Sequence, residues 1–160
     1  MTIRTGIGYD VHRFATHRQL FLGGIAIPHR LGLAGHSDAD VLLHAIADAV
    51  LGAAALGDIG THFPPSDPAF RDADSRMLLA QVHALLAQAG WRVVNVDATV
   101  IAEQPRIGPY SPAMCEAVAA ILHVPPRAVS IKATTNEGLG FIGRGEGIAA
   151  LAVVTIESNE

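Results

Sequence analysis

Apolar and polar positions along this chain predict strands at both ends with helices between them. Residues 3–14 are rich in β-branched and aromatic side chains and read as a strand. Residues 19–28, QLFLGGIAIP, predict two short strands around Gly23-Gly24, a hairpin signal. The run that follows, HSDADVLLHAIADAVLGAAALGD, reads as a helix with Ser37 as N-cap. Asp38 and Asp40 fall in its first turn, and it ends near Leu51–Leu56, before Gly57. Residues 57–73 are crowded with Gly, Pro and Asp and predict a long irregular loop of the kind that often carries function.

A second helix is expected from Asp74 to Ala89, closed by Gly90. WRVVNVDATVIA reads as a strand, EQPRIGPY as a loop, and Ser111 to His123 as a third helix stopped by Pro125-Pro126. VSIKATT is a strand, NEGLGFIGRGEG a glycine-rich segment, and IAALAVVTIE a last strand. The order βββ-α-α-β-α-β-β predicts an α+β fold: a mixed β-sheet with helices packed on one face, a small β-α-β sandwich. No linker or repeat divides the chain, so residues 1–160 are expected to form a single domain.

Composition narrows the classes. Half the residues are hydrophobic and 16% are charged, enough to bury a core, which argues against wholesale disorder. The net charge is −4 with 11 Lys and Arg in no basic run, which argues against a nucleic-acid surface. The longest apolar stretch, Ala45 to Leu56, is broken by Asp48 and too short for a bilayer. The N-terminus lacks the apolar core of a signal peptide, so no membrane attachment and a cytoplasmic location are expected. The single cysteine, Cys115, reads as a buried small apolar residue rather than a nucleophile. With so few charges to cover one small chain, oligomerisation is expected to cover the open face of the sheet.

Candidate chemistry begins at Asp10-Val11-His12. Residues i and i+2 of a strand share a face, so Asp10 and His12 project together, away from Val11. Both are common zinc ligands, although a polar strand face in water looks the same. Asp40, His44 and Asp48 stand at i, i+4 and i+8 on an apolar helix, a narrow polar stripe without Lys, Arg or Glu. A wetted face is the alternative. His44 would complete an Asp/His/His set with an open fourth position, as in catalytic zinc sites, with Asp48 as a partner behind a ligand. His36 precedes the expected helix start, a natural phosphate site, or is an exposed loop histidine. His17, His29, His62, His83 and His123 have no partner at informative spacing.

Gly138, Gly140 and Gly143 spell G-x-G-x-x-G, but a strand-like run follows where a dinucleotide fold needs a helix. Within that region Thr134 and Thr135 offer hydroxyls and Glu137 offers a carboxylate to a hard cation such as Mg²⁺ bridging phosphates; a ligand-free hairpin is the alternative. No G-x-S-x-G elbow occurs, which leaves little support for a hydrolase triad.

Taken together, G-Y-D-V-H (8–12), G-H-S-D-A-D-V-L-L-H-A (35–45), G-A-A-A-L-G-D-I-G (52–60), H-F-P-P-S-D (62–67) and K-A-T-T-N-E-G-L-G-F-I-G-R-G-E-G-I-A (132–149) resemble the cyclodiphosphate synthase family of the methylerythritol phosphate route to isoprenoids, over essentially the whole chain. The resemblance implies an enzyme, a phosphorus–oxygen lyase, acting on 4-diphosphocytidyl-2-C-methyl-D-erythritol 2-phosphate. The 2-phosphate attacks the β-phosphorus and CMP leaves. It implies Zn²⁺ on Asp10, His12 and His44, and a second divalent cation, Mg²⁺ or Mn²⁺, on Glu137. His36 and Thr135 would stabilise the transition state.

By the same resemblance Ser37, Asp58, Ile59, Gly60, Phe63, Pro64, Pro65, Ser66 and Asp67 would hold the erythritol phosphate end, and Asp10, Val11, His12, His36 and Asn136 would also contact the substrate. Ala102, Glu103, Gln104, Pro105, Arg106, Ile107 and Gly108, with Ala133, Thr134 and Thr135, would hold the cytidine end. A homotrimer is implied, with active sites between subunits and Phe141 and Arg144 near a central cavity that takes isoprenoid diphosphates. Arg106 stands where a lysine is expected, a planar fork in place of a point charge, and Pro65 and Asn136 are local variations. A chain of this length is expected to carry no fused cytidylyltransferase. Two other readings share these residues: a zinc phosphohydrolase, and a non-catalytic isoprenoid-diphosphate binder.

Overall fold

A computed structural model of the chain, describing residues 1–159, arranges the strands as a five-stranded mixed sheet and a separate two-stranded hairpin. In chain order the elements are β1 (Ile3–Ala15), β2 (Leu20–Leu22), β3 (Ile25–Ile27), β4 (Gly32–Leu33), α1 (Val41–Ala53), α2 (Ile59–His62), α3 (Ser75–Gln88), β5 (Trp91–Ile101), α4 (Ser111–Leu122), β6 (Val129–Thr134), α5 (Gly140–Gly143) and β7 (Gly147–Ser158). The large sheet runs β4-β1-β7-β5-β6, parallel between β5 and β6 and antiparallel elsewhere. The expected α+β architecture is therefore present.

The last strand sits at the centre because its alternation suits that place. Ile148, Ala150, Ala152, Val154 and Ile156 are buried beneath the helices, while Leu151 and Val153 face the other side. α1 lies across β1 and β7, α3 packs on α1 and β5, and α4 packs on β6 and α3. Cys115 is half-buried against this core rather than fully enclosed.

How closely α1 approaches β1 is set by two glycines. Gly6, Gly8, Asp10 and His12 alternate onto the helix-facing side of β1. A Cβ on Gly8 would lie 1.8 Å from the carbonyl oxygen of Ala45, and one on Gly6 would lie 2.0 Å from that of Ala49. Helix and strand thus touch backbone to backbone, through Ala45 and Ala49 on one side and no side chain on the other.

Two local expectations change, and one alternative reading falls away. The helix begins at Val41, not after Ser37: Asp40 is its N-cap, accepting from Leu43 N at 3.0 Å. Ser37, Asp38 and Ala39 instead form a turn held by their own side chains. Ser37 Oγ accepts from Ala39 N, Asp38 Oδ1 accepts from Asp40 N, and Ala39 has φ 58, a left-handed value that halts a helix. The 57–73 loop is not wholly irregular, since Asp58 caps α2 and Asp67 caps a 3-10 turn at Pro68–Phe70. The glycine-rich segment is not a hairpin: it turns through α5 and then enters β7 as a strand.

Gly8→Ala is expected to destabilise the fold by at least about 1–3 kcal/mol, because the new methyl meets a carbonyl oxygen rather than a movable side chain. Chemical denaturation of the two proteins measures the difference, and unchanged stability would contradict the close contact.

Candidate metal centre

Asp10 and His12 leave β1 on the side covered by α1, and His44 reaches them from the first turn of that helix. Asp10 Oδ2 lies 2.9 Å from His12 Nε2 and 3.1 Å from His44 Nδ1, and the two ring nitrogens are 3.3 Å apart. Donor atoms bound at about 2.0–2.1 Å to one tetrahedral ion stand at comparable separations. His12 Nδ1 is 2.8 Å from the Ala34 carbonyl oxygen, which can only accept, so in the neutral ring the proton sits on Nδ1 and the Nε2 lone pair points into the cluster. The three donors form the one group of this kind among the described residues, and their chemistry and spacing fit a divalent metal ion.

Electrostatics agree with a site built around charge. Burial alone would raise the Asp10 pKa, but hydrogen bonds and charge from His12 and His44 outweigh it and lower it to about 2. Burial opposes protonation of His12, yet Asp10 and the Ala34 carbonyl together raise its pKa.

The cluster forms one wall of a cavity of about 250 Å³. Of the expected substrate residues, His36, Ser37, Ile59, Gly60, Phe63 and Pro65 line it together with Asp10 and His12. Val11, Asp58, Pro64, Ser66 and Asp67 do not. Val11 faces the far side of the sheet. Asp58 Oδ1 is taken by the N–H and hydroxyl of Thr61, and Asp67 Oδ1 by Ala69 N. His36 is half-buried, with Nε2 at 3.2 Å from the Asp67 carbonyl oxygen. Because α1 starts only at Val41, His36 does not lie at a helix N-terminus, and its place in the cavity rests on the turn at residues 37–39.

Only His44 of the polar stripe belongs to the cluster. Asp40 is fully buried and accepts from Gly23 N at 2.9 Å, Gly24 N at 2.8 Å and Leu43 N at 3.0 Å, tying the β2–β3 turn to the start of α1. Asp48 does not back a ligand: its Oδ1 accepts from Ile59 N at 2.8 Å and so anchors α2, whose Ile59 and Gly60 wall the cavity. The group behind His44 is instead Ser75, whose Oγ lies 2.9 Å from Nε2, with Ser37 Oγ at 3.2 Å. Ser75, Phe70 and Leu78 line the cavity and were not singled out from the sequence. No spacing could have marked them, because they come close only through tertiary packing.

The remaining expected residues gather elsewhere. Ala102–Gly108 and Ala133–Glu137 meet at the carboxyl ends of the parallel strands β5 and β6. Ala102 N donates to Thr134 O, and Glu103 Oε1 accepts from Asn136 N at 2.8 Å and Gly138 N at 3.3 Å. Arg106, Thr134, Thr135 and Glu137 are exposed there. Asp10, Ala150, Val100 and Ala133 lie on one row across the sheet, so the two places are three strand intervals apart, about 14 Å. Buried Ala150 and Val100 separate them under α1. Phe141 and Arg144 sit on and beside α5, exposed, with Arg144 Nε donating to Glu146 at 2.9 Å. Of the histidines without assigned partners, His83 and His123 pack ring against ring and His62 meets the Leu56 carbonyl. No helix among the described residues is long and apolar enough to cross a membrane.

Comparison with known proteins places this geometry in context. The model of the YgbB family matches residues 3–157. The 2-C-methyl-D-erythritol 2,4-cyclodiphosphate synthase of Symbiobacterium thermophilum is 64% identical over 94% of this chain and 96% of its own length. The enzyme of that name from Moorella thermoacetica is 59% identical over 99% and 97%. The solved bifunctional IspDF of Campylobacter jejuni superposes with a TM-score of 0.95 at 43% identity, covering 98% of this chain, which spans 42% of that longer protein. The CDP complex of Plasmodium falciparum IspF superposes at a TM-score of 0.86 and 31% identity, covering 99% of this chain and 97% of its own.

In the metal-free protein, Asp10→Asn is expected to lower the His12 pKa below the ordinary histidine value. It removes the carboxylate that raises it, and burial, the largest influence, then outweighs the Ala34 carbonyl. An NMR titration of the His12 ring reads the direction, and an unchanged or higher value would contradict the coupling.

Proposed function

The chain belongs to the YgbB family, and from that premise we infer that it synthesises 2-C-methyl-D-erythritol 2,4-cyclodiphosphate in the methylerythritol phosphate route to isoprenoid precursors. The observation that carries this reading is the meeting of Asp10, His12 and His44 at a cavity wall, in a chain that aligns nearly end to end with synthases of that name. The substrate is 4-diphosphocytidyl-2-C-methyl-D-erythritol 2-phosphate. Its 2-phosphate oxygen bonds to the β-phosphorus, the bond from that phosphorus to the CMP oxygen breaks, and CMP leaves, a phosphorus–oxygen lyase reaction. The nucleophile is already a phosphate, so the chain supplies no nucleophile, only position and charge.

Asp10, His12 and His44 hold Zn²⁺, and Glu137 holds a second divalent cation, Mg²⁺ or Mn²⁺. When bound, such ions set positive charge against the phosphoryl oxygens. His36 and Ser37 contact the erythritol phosphate and Ile59, Gly60, Phe63 and Pro65 enclose it, while His36 and Thr135 stabilise the transition state. The Ala102–Gly108 and Ala133–Thr135 segments hold the cytidine, with Arg106 offering a fork to the pyrophosphate. The Plasmodium falciparum CDP complex supports a cytidine ligand. A phosphohydrolase or a mere isoprenoid-diphosphate binder is disfavoured by the synthase names of these relatives.

One chain separates the metal cavity from the cytidine segments by a buried stretch of sheet, which supports a site completed by a neighbouring copy. The face of the sheet opposite the helices is suited to that contact. Ile7 (70% exposed) pairs with Val153 (42%), and Tyr9 (53%) with Leu151 (42%), an apolar surface continuous across two strands. A homotrimer covers it and places Phe141 and Arg144 where an isoprenoid diphosphate can enter from the centre.

With Mg²⁺ and the cytidyl substrate, the zinc-loaded protein is expected to release CMP and a cyclic diphosphate. A linear product marks a hydrolase, and no product marks a binder. His44→Ala is expected to lose zinc and activity while staying folded, as metal analysis and circular dichroism will show. His44→Ala and Thr135→Ala, each nearly inactive alone, are expected to regain activity when co-expressed, because some mixed interfaces join both wild-type residues. Tagged mixed oligomers as inactive as their parents would rule out the shared site.

A further inference from the structure

Behind the metal centre runs a polar chain that no step of the reaction uses. His44 Nε2 lies 2.9 Å from Ser75 Oγ, and Ser75 Oγ in turn donates to Asp38 Oδ1. Asp38 Oδ2 accepts from Ser75 N at 3.0 Å, so both oxygens of Asp38 face the same residue. Ser75 is 1% exposed and His44 7%, which leaves bulk water little access to the contact between them.

Proton counting gives this chain a direction. An ionised carboxylate only accepts, so the single Ser75 hydroxyl proton goes to Asp38. The Ser75 oxygen is then left to accept, and the partner that donates to it is His44 Nε2–H. That fixes the neutral His44 ring with its proton on Nε2 and its lone pair on Nδ1, the atom 3.1 Å from Asp10 and 3.3 Å from His12. Ser37 Oγ, 3.2 Å from the same Nε2, cannot impose this, because its own proton is free to point either way. The chain is also anchored across the fold. Asp38 N donates to Ala73 O and Asp72 N donates to His36 O, so the segment before α1 is stitched to the segment before α3.

We propose that Asp38 and Ser75 are positioning residues that set the tautomer and ring orientation of His44 and thereby the affinity of the metal centre. The proposal rests on that centre holding zinc. Partners behind metal-bound histidines are generally worth 10–100-fold in metal affinity. Removing the Ser75 hydroxyl leaves the helix start intact, since the cap of α3 is Asp74, which accepts from Arg76 N at 2.9 Å.

The test compares zinc-loaded wild type, Ser75→Ala and Asp38→Asn by chelator competition, with an NMR measurement of imidazole proton exchange on the wild type. Both variants are expected to bind zinc roughly 10–100-fold more weakly, with helix content unchanged. In the wild type the His44 Nε2 proton is expected to exchange slowly with solvent. A purely structural role would lower the melting temperature and leave the zinc affinity of the folded protein unaltered. Wild type that binds zinc, with both variants binding it equally tightly, overturns the relay and leaves the metal centre standing. Wild type that binds no zinc overturns the centre itself. Should both variants fail to fold, the wild-type measurement decides: a rapidly exchanging Nε2 proton overturns the relay, and a protected one supports it.

Discussion

The site depends on the backbone contact between α1 and β1. Gly6 and Gly8 present no side chain, and Ala45 and Ala49 present only backbone oxygens and methyls, so the helix settles directly on the strand. Asp10 and His12 continue the same face of β1 beyond the glycines, and His44 precedes Ala45 on α1. The spacing that lets the elements touch is therefore the spacing that brings three donor atoms within 3.3 Å of one another. A wider gap would leave the ligands on their elements but separate the cluster.

Polar groups are rare in this core and are concentrated at that contact. The buried polar residues are Ser37, Asp40, His44 and Ser75, all at or beside the start of α1 or α3. Each is engaged: Asp40 by three backbone N–H groups, His44 by two serines and Asp10, Ser75 by Asp38. No buried side-chain nitrogen or oxygen among the described residues lacks a partner. An unpaired polar group in such surroundings costs about 1–3 kcal/mol, so full satisfaction favours this one arrangement of the segment before α1 over its alternatives.

The sheet divides the chemistry as well as supporting it. Its helix-covered face carries the candidate metal site at β1, and the carboxyl ends of β5 and β6 carry the segment proposed for the nucleotide. Ala150 and Val100 lie buried between them beneath α1. The open face is apolar along β1 and β7.

Most elements were legible in the sequence because they depend on local spacing. β-Branched residues marked β1 and β7, Gly90 closed α3, and the strand-like run after Gly143 argued against a dinucleotide fold. Asp10, His12 and His44 could be grouped as ligands from a period of two on a strand and a narrow polar stripe on a helix. What spacing could not convey was the partner of each polar atom. Asp48 shares the face of His44, yet it serves Ile59 N, and the true neighbour of His44 is Ser75, 31 residues away. Ser37 looked like an N-cap, but a left-handed Ala39 passed that role to Asp40, whose burial also needed the Gly23-Gly24 turn. Local pattern specifies which face a side chain takes, since that follows from backbone geometry. Which atom it meets there depends on elements folded over from elsewhere, and only the tertiary structure decides it.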